Sequence, residues 1–262
     1  MSNLEERIDE VEKYYDPISK CDKAVSILFW IIAVISIFIP YSNEFLKIHW
    51  YDLLIALFIV FVLAHFSLSQ FLRLNLIPKA EIARRKQLLS DSFGTILTHD
   101  KTNLYYNNKF TPSLERLAAN VMENAFFSKG IASKMLLKNR AIIGIYLALL
   151  IVIFVIRHDN LDLIIWITQL VFSGEIVAKW LRLEMLRVRH EKVYEELYSI
   201  FLHELGSSSK GAIASVLNSF ADYECAKSSA STKLSSKIFQ KINPKLTEEW
   251  KVITKELNMS NS

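Results

Sequence analysis

Three groups of side chains in this sequence have types and spacings that could do chemistry. Arg84, Arg85 and Lys86 form a basic triplet, suited to a phosphate-bearing ligand because arginine forks match oxyanions in two-point fashion. Some twenty residues on come Tyr105, Tyr106, Asn107 and Asn108. Aromatic rings stack on nucleobases and amide side chains hydrogen-bond their edges. The third group lies in strongly apolar text: His65, Gln169, Glu175 and Lys179. His65 and Glu175 each fall 14 positions after a residue expected at an outer surface, Tyr51 and Leu161. At 1.5 Å per helical residue both then sit roughly 21 Å deep. Ionisable groups at membrane depth are costly and face partners or water-filled paths. Glu175 and Lys179 are also one helical turn apart, where a pair is favoured. One reading is a polar seam lining a pore in an oligomer. The other is a structural pair near the interface, with Lys179 reaching up to the headgroups.

The elements that must position these groups follow from hydropathy. The 262-residue chain is 52% hydrophobic, with six Gly and five Pro, and its mean hydropathy is +0.23. Soluble domains sit nearer about 45–50% apolar. The apolar residues concentrate in four blocks, 24–41, 53–72, 141–156 and 161–181. A spanning helix needs about 20 such residues. The expected fold is an all-α membrane protein of four transmembrane helices in two hairpins, 24–72 and 141–181. An N-terminal segment 1–23, a basic segment 73–140 and a stalk and tail 182–262 lie outside the bilayer and build a helical cytosolic domain.

Loop charge sets the orientation. Segment 73–140 carries twelve basic and five acidic residues, whereas the short connections hold one basic residue each, Lys47 and Arg157. Both termini and segment 73–140 are therefore expected in the cytosol. Trp50 and Tyr51 fall at an outer aromatic belt and Trp180 at an inner one. The N-terminus is polar and lacks a cleavable-signal pattern. The two cysteines, Cys21 and Cys225, show no metal-ligand spacing and read as reduced cytosolic thiols.

Within the cytosolic parts, the second span is expected to continue inward, break near Pro78 and resume to Leu89. Residues 98–112 are turn-like. Ser113 then caps a helix to about Lys129, with Leu114, Leu117, Ala118, Val121, Met122, Ala125 and Phe126 on its apolar face. The fourth span runs on as a stalk roughly 36 Å long, with Leu186, Val193, Leu197 and Ile200 at helical intervals. A helix is expected near 212–226. A break at Asn243-Pro244 and a last helix from an N-cap at Thr247 follow. No strand pattern and no internal repeat stands out.

No nucleophile elbow, phosphate-cradling glycine loop, dinucleotide fingerprint or metal-ligand motif occurs. No enzymatic activity, cofactor or metal is expected. The spans lack the Gly/Pro breaks and midplane polar groups of solute transporters. A small transporter or a membrane-bound sensor scaffold remains one reading of such a chain.

The stretches ARRKQLLSDSFGT (83–95), TNLYYNN (102–108) and PSLERLAANVMENAFFSK (112–129) resemble the SMODS-associating four-transmembrane effector family, as does LSSKIFQKINPKLTEEW (234–250). These are pore-forming effectors of bacterial CBASS-type antiphage defence. The resemblance implies a chain in the bacterial inner membrane that binds a cyclic nucleotide second messenger, oligomerises with itself and collapses the membrane barrier. Its partners would be lipid and that nucleotide, not a nucleic acid polymer. It implies no catalytic residues. Arg84, Arg85, Tyr105, Tyr106, Asn107 and Asn108 are candidates for ligand contact or for holding the domain together.

Overall fold

The computed structural model describes residues 8–45, 48–103, 105–106, 108, 110–156, 176–203 and 210–259. Among the described residues the structure is all-helical apart from one pair of two-residue strands. In order, β1 is Ile8–Asp9, α1 Tyr15–Phe45, α2 Ile48–Phe71, α3 Ile77–Phe93, β2 Thr102–Asn103, α4 Leu114–Ile156, α5 Ile176–His203, α6 Lys210–Ala230 and α7 Ser236–Glu256. A 3₁₀ turn, Glu10–Tyr14, precedes α1, and a π turn, Leu72–Leu76, joins α2 to α3. The chain divides into two compact units. One comprises Met1–Lys13, Lys79–Asn139 and Trp180–Ser262, the other Tyr14–Pro78 and Arg140–Lys179.

In the second unit α1 packs on α2, with Val25, Phe29 and Ala33 buried on one stripe of α1. The rest of the hairpin turns large apolar groups outward, Phe38, Leu63 and Phe66 each more than half exposed. Among the described residues one helix, Ile48–Phe93, is long and apolar enough to cross a membrane, where four spans were expected. Its apolar window is 6% buried. A core helix of a soluble protein would be mostly covered, so the exposure favours contact with an apolar solvent. The fourth expected span falls outside the described residues up to Glu175.

Helix Ile48–Phe93 is not broken at Pro78, contrary to the sequence expectation. The Ile77 N–H donates to the Leu72 carbonyl, a wide i−5 bond. Pro78 has no N–H to give and its ring crowds the preceding turn. A π turn just ahead of it widens that turn, so the helix continues.

The first unit is a bundle of α3, the N-terminal part of α4, α5, α6 and α7. Leu117, Ala118, Val121, Met122, Ala125 and Phe126 are buried there, as the apolar face of α4 requires. They meet Val193, Leu197 and Ile200 of α5, Val216 and Tyr223 of α6, and Leu246 and Trp250 of α7. Ala132, Leu136, Leu183, Leu186, Ala226 and Ala230 form a second cluster. The α5 segment is thus a core helix of this bundle, not a bare stalk.

Two helix ends fall elsewhere than expected. Helix α4 passes through Gly130 and on to Ile156. A Cβ at Gly130 would meet Leu246 Cδ1 at 3.1 Å and Cδ2 at 3.2 Å, so the glycine serves close packing by α7 instead of ending a helix. Helix α7 begins at the Ser235 cap, whose hydroxyl accepts from the Ile238 N–H at 3.3 Å, and carries Pro244 inside it. Proline in a helix interior costs about 3 kcal/mol. Ile242 packs on the core and Leu246 and Trp250 are buried, and burying such side chains outweighs that penalty. Thr247 is consequently mid-helix. The α7 end is closed by Asn258 at φ 54, with the Met259 N–H donating to the Thr254 carbonyl at 2.9 Å, a Schellman closure.

Candidate functional site

Arg84 of the basic triplet and Tyr105 of the tyrosine–asparagine run meet on one face of α3. Positions 84, 87, 88 and 91 recur at helical spacing and face one way. Helix α3 ends in a left-handed Gly94, φ 62, and the Thr95 N–H donates to the Ser90 carbonyl at 3.1 Å. That closure turns the chain back over α3, and a Cβ at Gly94 would strike Pro112 Cγ at 3.0 Å. The returning segment ends where the Ser113 N–H donates to the Ser92 carbonyl at 2.9 Å, and the Ser113 hydroxyl caps α4 by accepting from the Arg116 N–H at 3.2 Å.

At the N-terminal end of this face Arg84 donates two parallel bonds to Asp9, Nη1 to Oδ1 at 3.0 Å and Nη2 to Oδ2 at 2.9 Å. The two side chains are only 13% and 18% exposed. Arg84 therefore does not lie at a solvated surface: its charge is largely enclosed and already paired. Its guanidinium also sits 4.5 Å from the centroid of the Tyr105 ring. Asp9 is presented by the antiparallel strand pair, Ile8 opposite Asn103 and Asp9 opposite Thr102. Two residues are too few to leave an alternating pattern, and so the sequence betrayed no strand. Lys13 pairs with Asp100, and the Lys101 N–H donates to Glu10 Oε2 at 2.8 Å. Gln87 of α3 donates to the Thr102 hydroxyl. Arg85 and Lys86 point outward and are exposed.

At the other end the polar groups are knitted internally. Asp91 receives Arg116 Nη2 at 2.8 Å and Nε at 3.2 Å. Asn120 donates to Asp91 Oδ2 at 2.8 Å and to Ser92 Oγ at 3.0 Å, and accepts from Asn108 at 2.6 Å. The Tyr106 hydroxyl accepts from Asn124 at 3.3 Å, and its ring meets Tyr105 edge-on at 4.9 Å. Burial pushes the Tyr106 hydroxyl well above the ordinary tyrosine range, so it stays a neutral phenol. Tyr106 and Asn108 therefore hold the returning segment on α3 and α4. Asn107 lies outside the described residues. The Oε1 of Gln87 and Oδ1 of Asn108 are buried with no hydrogen-bond partner among the described residues.

Asp9, Asp91, Arg116, Asn120 and Asn124 did not stand out in the sequence. The one available signal was the shared helical face of Arg84, Gln87 and Asp91. A second buried polar cluster was also missed. Glu81 of α3 faces Lys227 and Glu224 of α6 and Arg85 of its own helix, and burial lifts its carboxyl to about 7. His190 of α5 is 1% exposed, lies with its ring tilted 5.1 Å from that of Tyr223, and is held down to about 3 by burial and by Lys227. Lys227 pairs with Glu224 at 2.9 Å.

In the apolar unit, the His65 ring lies 6.3 Å from Phe29, and its Nε2 is buried without a hydrogen-bond partner among the described residues. Lys179 pairs with Asp22 of α1 at 3.1 Å. Gln169 and Glu175, the other seam candidates, lie outside the described residues. No protein-family model, curated protein or solved structure matches this chain.

Proposed function

We propose that this chain is a cyclic-nucleotide-activated, membrane-disrupting effector of bacterial antiphage defence. On this reading it is a multi-pass protein of the inner membrane with four transmembrane helices in two hairpins, both termini cytosolic, acting as a homo-oligomer. The resemblance to the SMODS-associating four-transmembrane effectors supplies the biological setting. The single structural observation that carries the ligand side is the Arg84 fork beneath Tyr105, filled by the Asp9 carboxylate. A carboxylate held by two parallel N–H bonds occupies the position a phosphate would take, and the ring beside it offers a base a stacking surface. Exposed Arg85 and Lys86 flank it.

A ligand phosphate that exchanges for Asp9 would release the N-terminal strand, six residues before α1 begins at Tyr15. The ligand acts only through its differential affinity for the two states. Moving a 1:99 balance to 99:1 needs about 5.5 kcal/mol, and hydrogen bonds to charged groups give about 1.5–3 kcal/mol each. Because Arg84 is already bonded to Asp9, the difference must come from contacts beyond that exchange, and two at the top of the range or three of about 2 kcal/mol each reach it.

Calorimetry on detergent-purified chain with a panel of cyclic di- and trinucleotides tests this. The parent should bind at least one member. Asp9→Asn should bind it tighter, because the competing charge is gone, and Arg84→Ala should lose most binding. Arg85→Ala should bind more weakly, with binding that depends less on salt. Absence of binding by the parent to every member sinks the ligand-gated reading. Unchanged binding by Arg84→Ala moves the site elsewhere.

A further inference from the structure

Two amide oxygens beside the Arg84 fork are buried with nothing to accept. Gln87 lies one turn along α3 from Arg84 and is 8% exposed. Its Nε2 donates to the hydroxyl of Thr102, the residue opposite Asp9 in the strand pair. Asn108 lies three residues along the returning segment from Tyr105, whose ring covers the Arg84 guanidinium at 4.5 Å. The neighbours of Asn108 fix which way its amide points. The Asp91 carboxylate, held by Arg116 at 2.8 Å, can only accept. Asn120 therefore turns its Nδ2 to that carboxylate, at 2.8 Å, and its Oδ1 to Asn108. Asn108 Nδ2 donates to that oxygen at 2.6 Å, which leaves Asn108 Oδ1 over. Gln87 Oε1 and Asn108 Oδ1 have no hydrogen-bond partner, and they are the only such buried side-chain oxygens among the described residues. Folded proteins bond nearly all their buried acceptors, because an orphaned one has lost its water and gained nothing in return.

We propose that Gln87 and Asn108 read an exocyclic amine of the nucleobase, so that the ligand carries adenine, cytosine or guanine and not uracil. This rests on the cyclic-nucleotide reading of the Arg84 fork. An amine brings N–H donors to oxygens that need them. Uracil has a carbonyl where cytosine has its amine, which would set acceptor against acceptor. The two oxygens also supply what the exchange of Asp9 for a phosphate does not. Gln87 is tied to the strand pair through Thr102, so release of the N-terminal strand opens the way to its amide. Its bond to the amine then exists only with ligand in place, and the orphaned acceptors count against the closed state alone. That is a difference in affinity between the two states, the one quantity by which a ligand can shift them.

The test is calorimetry on the full chain, purified in detergent, with cyclic nucleotides matched in pairs with and without the amine. The pairs are cyclic di-AMP and cyclic di-GMP, each against cyclic di-IMP, and cyclic di-CMP against cyclic di-UMP, with the cyclic trinucleotides of the same bases. The parent should bind the amine-bearing member of at least one pair about tenfold tighter than its counterpart. Gln87→Met and Asn108→Leu should each bring that ratio toward one. Gln87→Glu, which keeps an acceptor at the same place, should preserve it. Equal affinities within every pair for the parent overturn the proposal whatever the variants do, and leave the two oxygens to water. An undiminished ratio in Gln87→Met and Asn108→Leu, with cooperative thermal unfolding showing both folded, overturns it as well. Should either variant fail to fold, the parent ratio and Gln87→Glu decide. Absence of binding by the parent to any member sinks the ligand-gated reading itself, whereas binding without preference for the amine sinks the base assignment alone.

Discussion

Arg84 has its guanidinium bound to Asp9 and covered by Tyr105, whereas Arg85, the next residue along α3, is exposed. One helical step of about 100° separates an enclosed ion from a solvated one, and only the first couples to a distant strand. Glu81 and His190 show the same sensitivity to placement, with opposite pH consequences. Burial lifts the Glu81 carboxyl from 4.5 to about 7, so the folded state holds its proton more tightly than the unfolded chain. The stabilisation this gives is present in full below 4.5 and lost as pH rises through about 7. His190 is lowered from 6.5 to about 3. Its stabilisation is present above 6.5 and disappears as pH falls toward 3. Thermal unfolding of the parent should therefore show losses on both limbs. Glu81→Gln should flatten the loss between about pH 5 and pH 7.5, and His190→Phe the loss below about pH 6. If neither variant changes its limb, the two groups are better solvated than their burial indicates. The basic triplet was legible as a candidate because its residue types are rare together. Asp9 was not, because pairing across 75 positions leaves no mark in a single sequence.

At the level of elements, faces were easier to read than ends. Burial follows the 3–4 spacing of apolar residues, and Leu186, Val193, Leu197 and Ile200 of α5 are all at most 7% exposed. Proline and glycine misled at Pro78, Pro244 and Gly130. At Pro78 the preceding π turn makes room for the ring, and at Pro244 and Gly130 the local penalty of about 1–3 kcal/mol is exceeded by contacts that only the assembled bundle supplies. Trp250 shows the scale of those contacts. It is 1% exposed, and its ring lies 5.7 Å from Phe126, which in turn lies 5.6 Å from Tyr194. Trp250→Ala should cost about 3–5 kcal/mol and loosen α7 from α4. Limited proteolysis in the 231–235 connection should accelerate in this variant. Unaltered cleavage would mean that Leu246 and Gly130 hold α7 without the indole.

For the whole molecule, the outward-facing apolar side chains and the loop charges bear on the same question from different physics. Exposed Trp30, Phe38, Leu63, Ile145 and Val155 favour an apolar surrounding, and on the proposed inner-membrane reading the excess of Lys and Arg in 73–140 would set the side on which that segment lies. Surface hydrophobicity alone is symmetric and cannot orient a chain. Charge alone cannot insert one. Together they predict that residues 43 and 160 face outward and that the returning segment after α3 faces the cytosol. Ser92 would be a poor reporter of this, because it is 0% exposed and its hydroxyl bonds the Leu88 carbonyl at 2.7 Å. Ile96, at 91% exposure, is the better probe. In a background lacking Cys21 and Cys225, an impermeant thiol reagent applied to intact cells should label Asn43→Cys and Asn160→Cys and leave Ile96→Cys unreacted. Permeabilised cells should then show strong labelling at 96. Labelling of 96 before permeabilisation would invert the topology, place the Arg84 fork outside the cell, and remove the cytosolic ligand on which the proposed function depends.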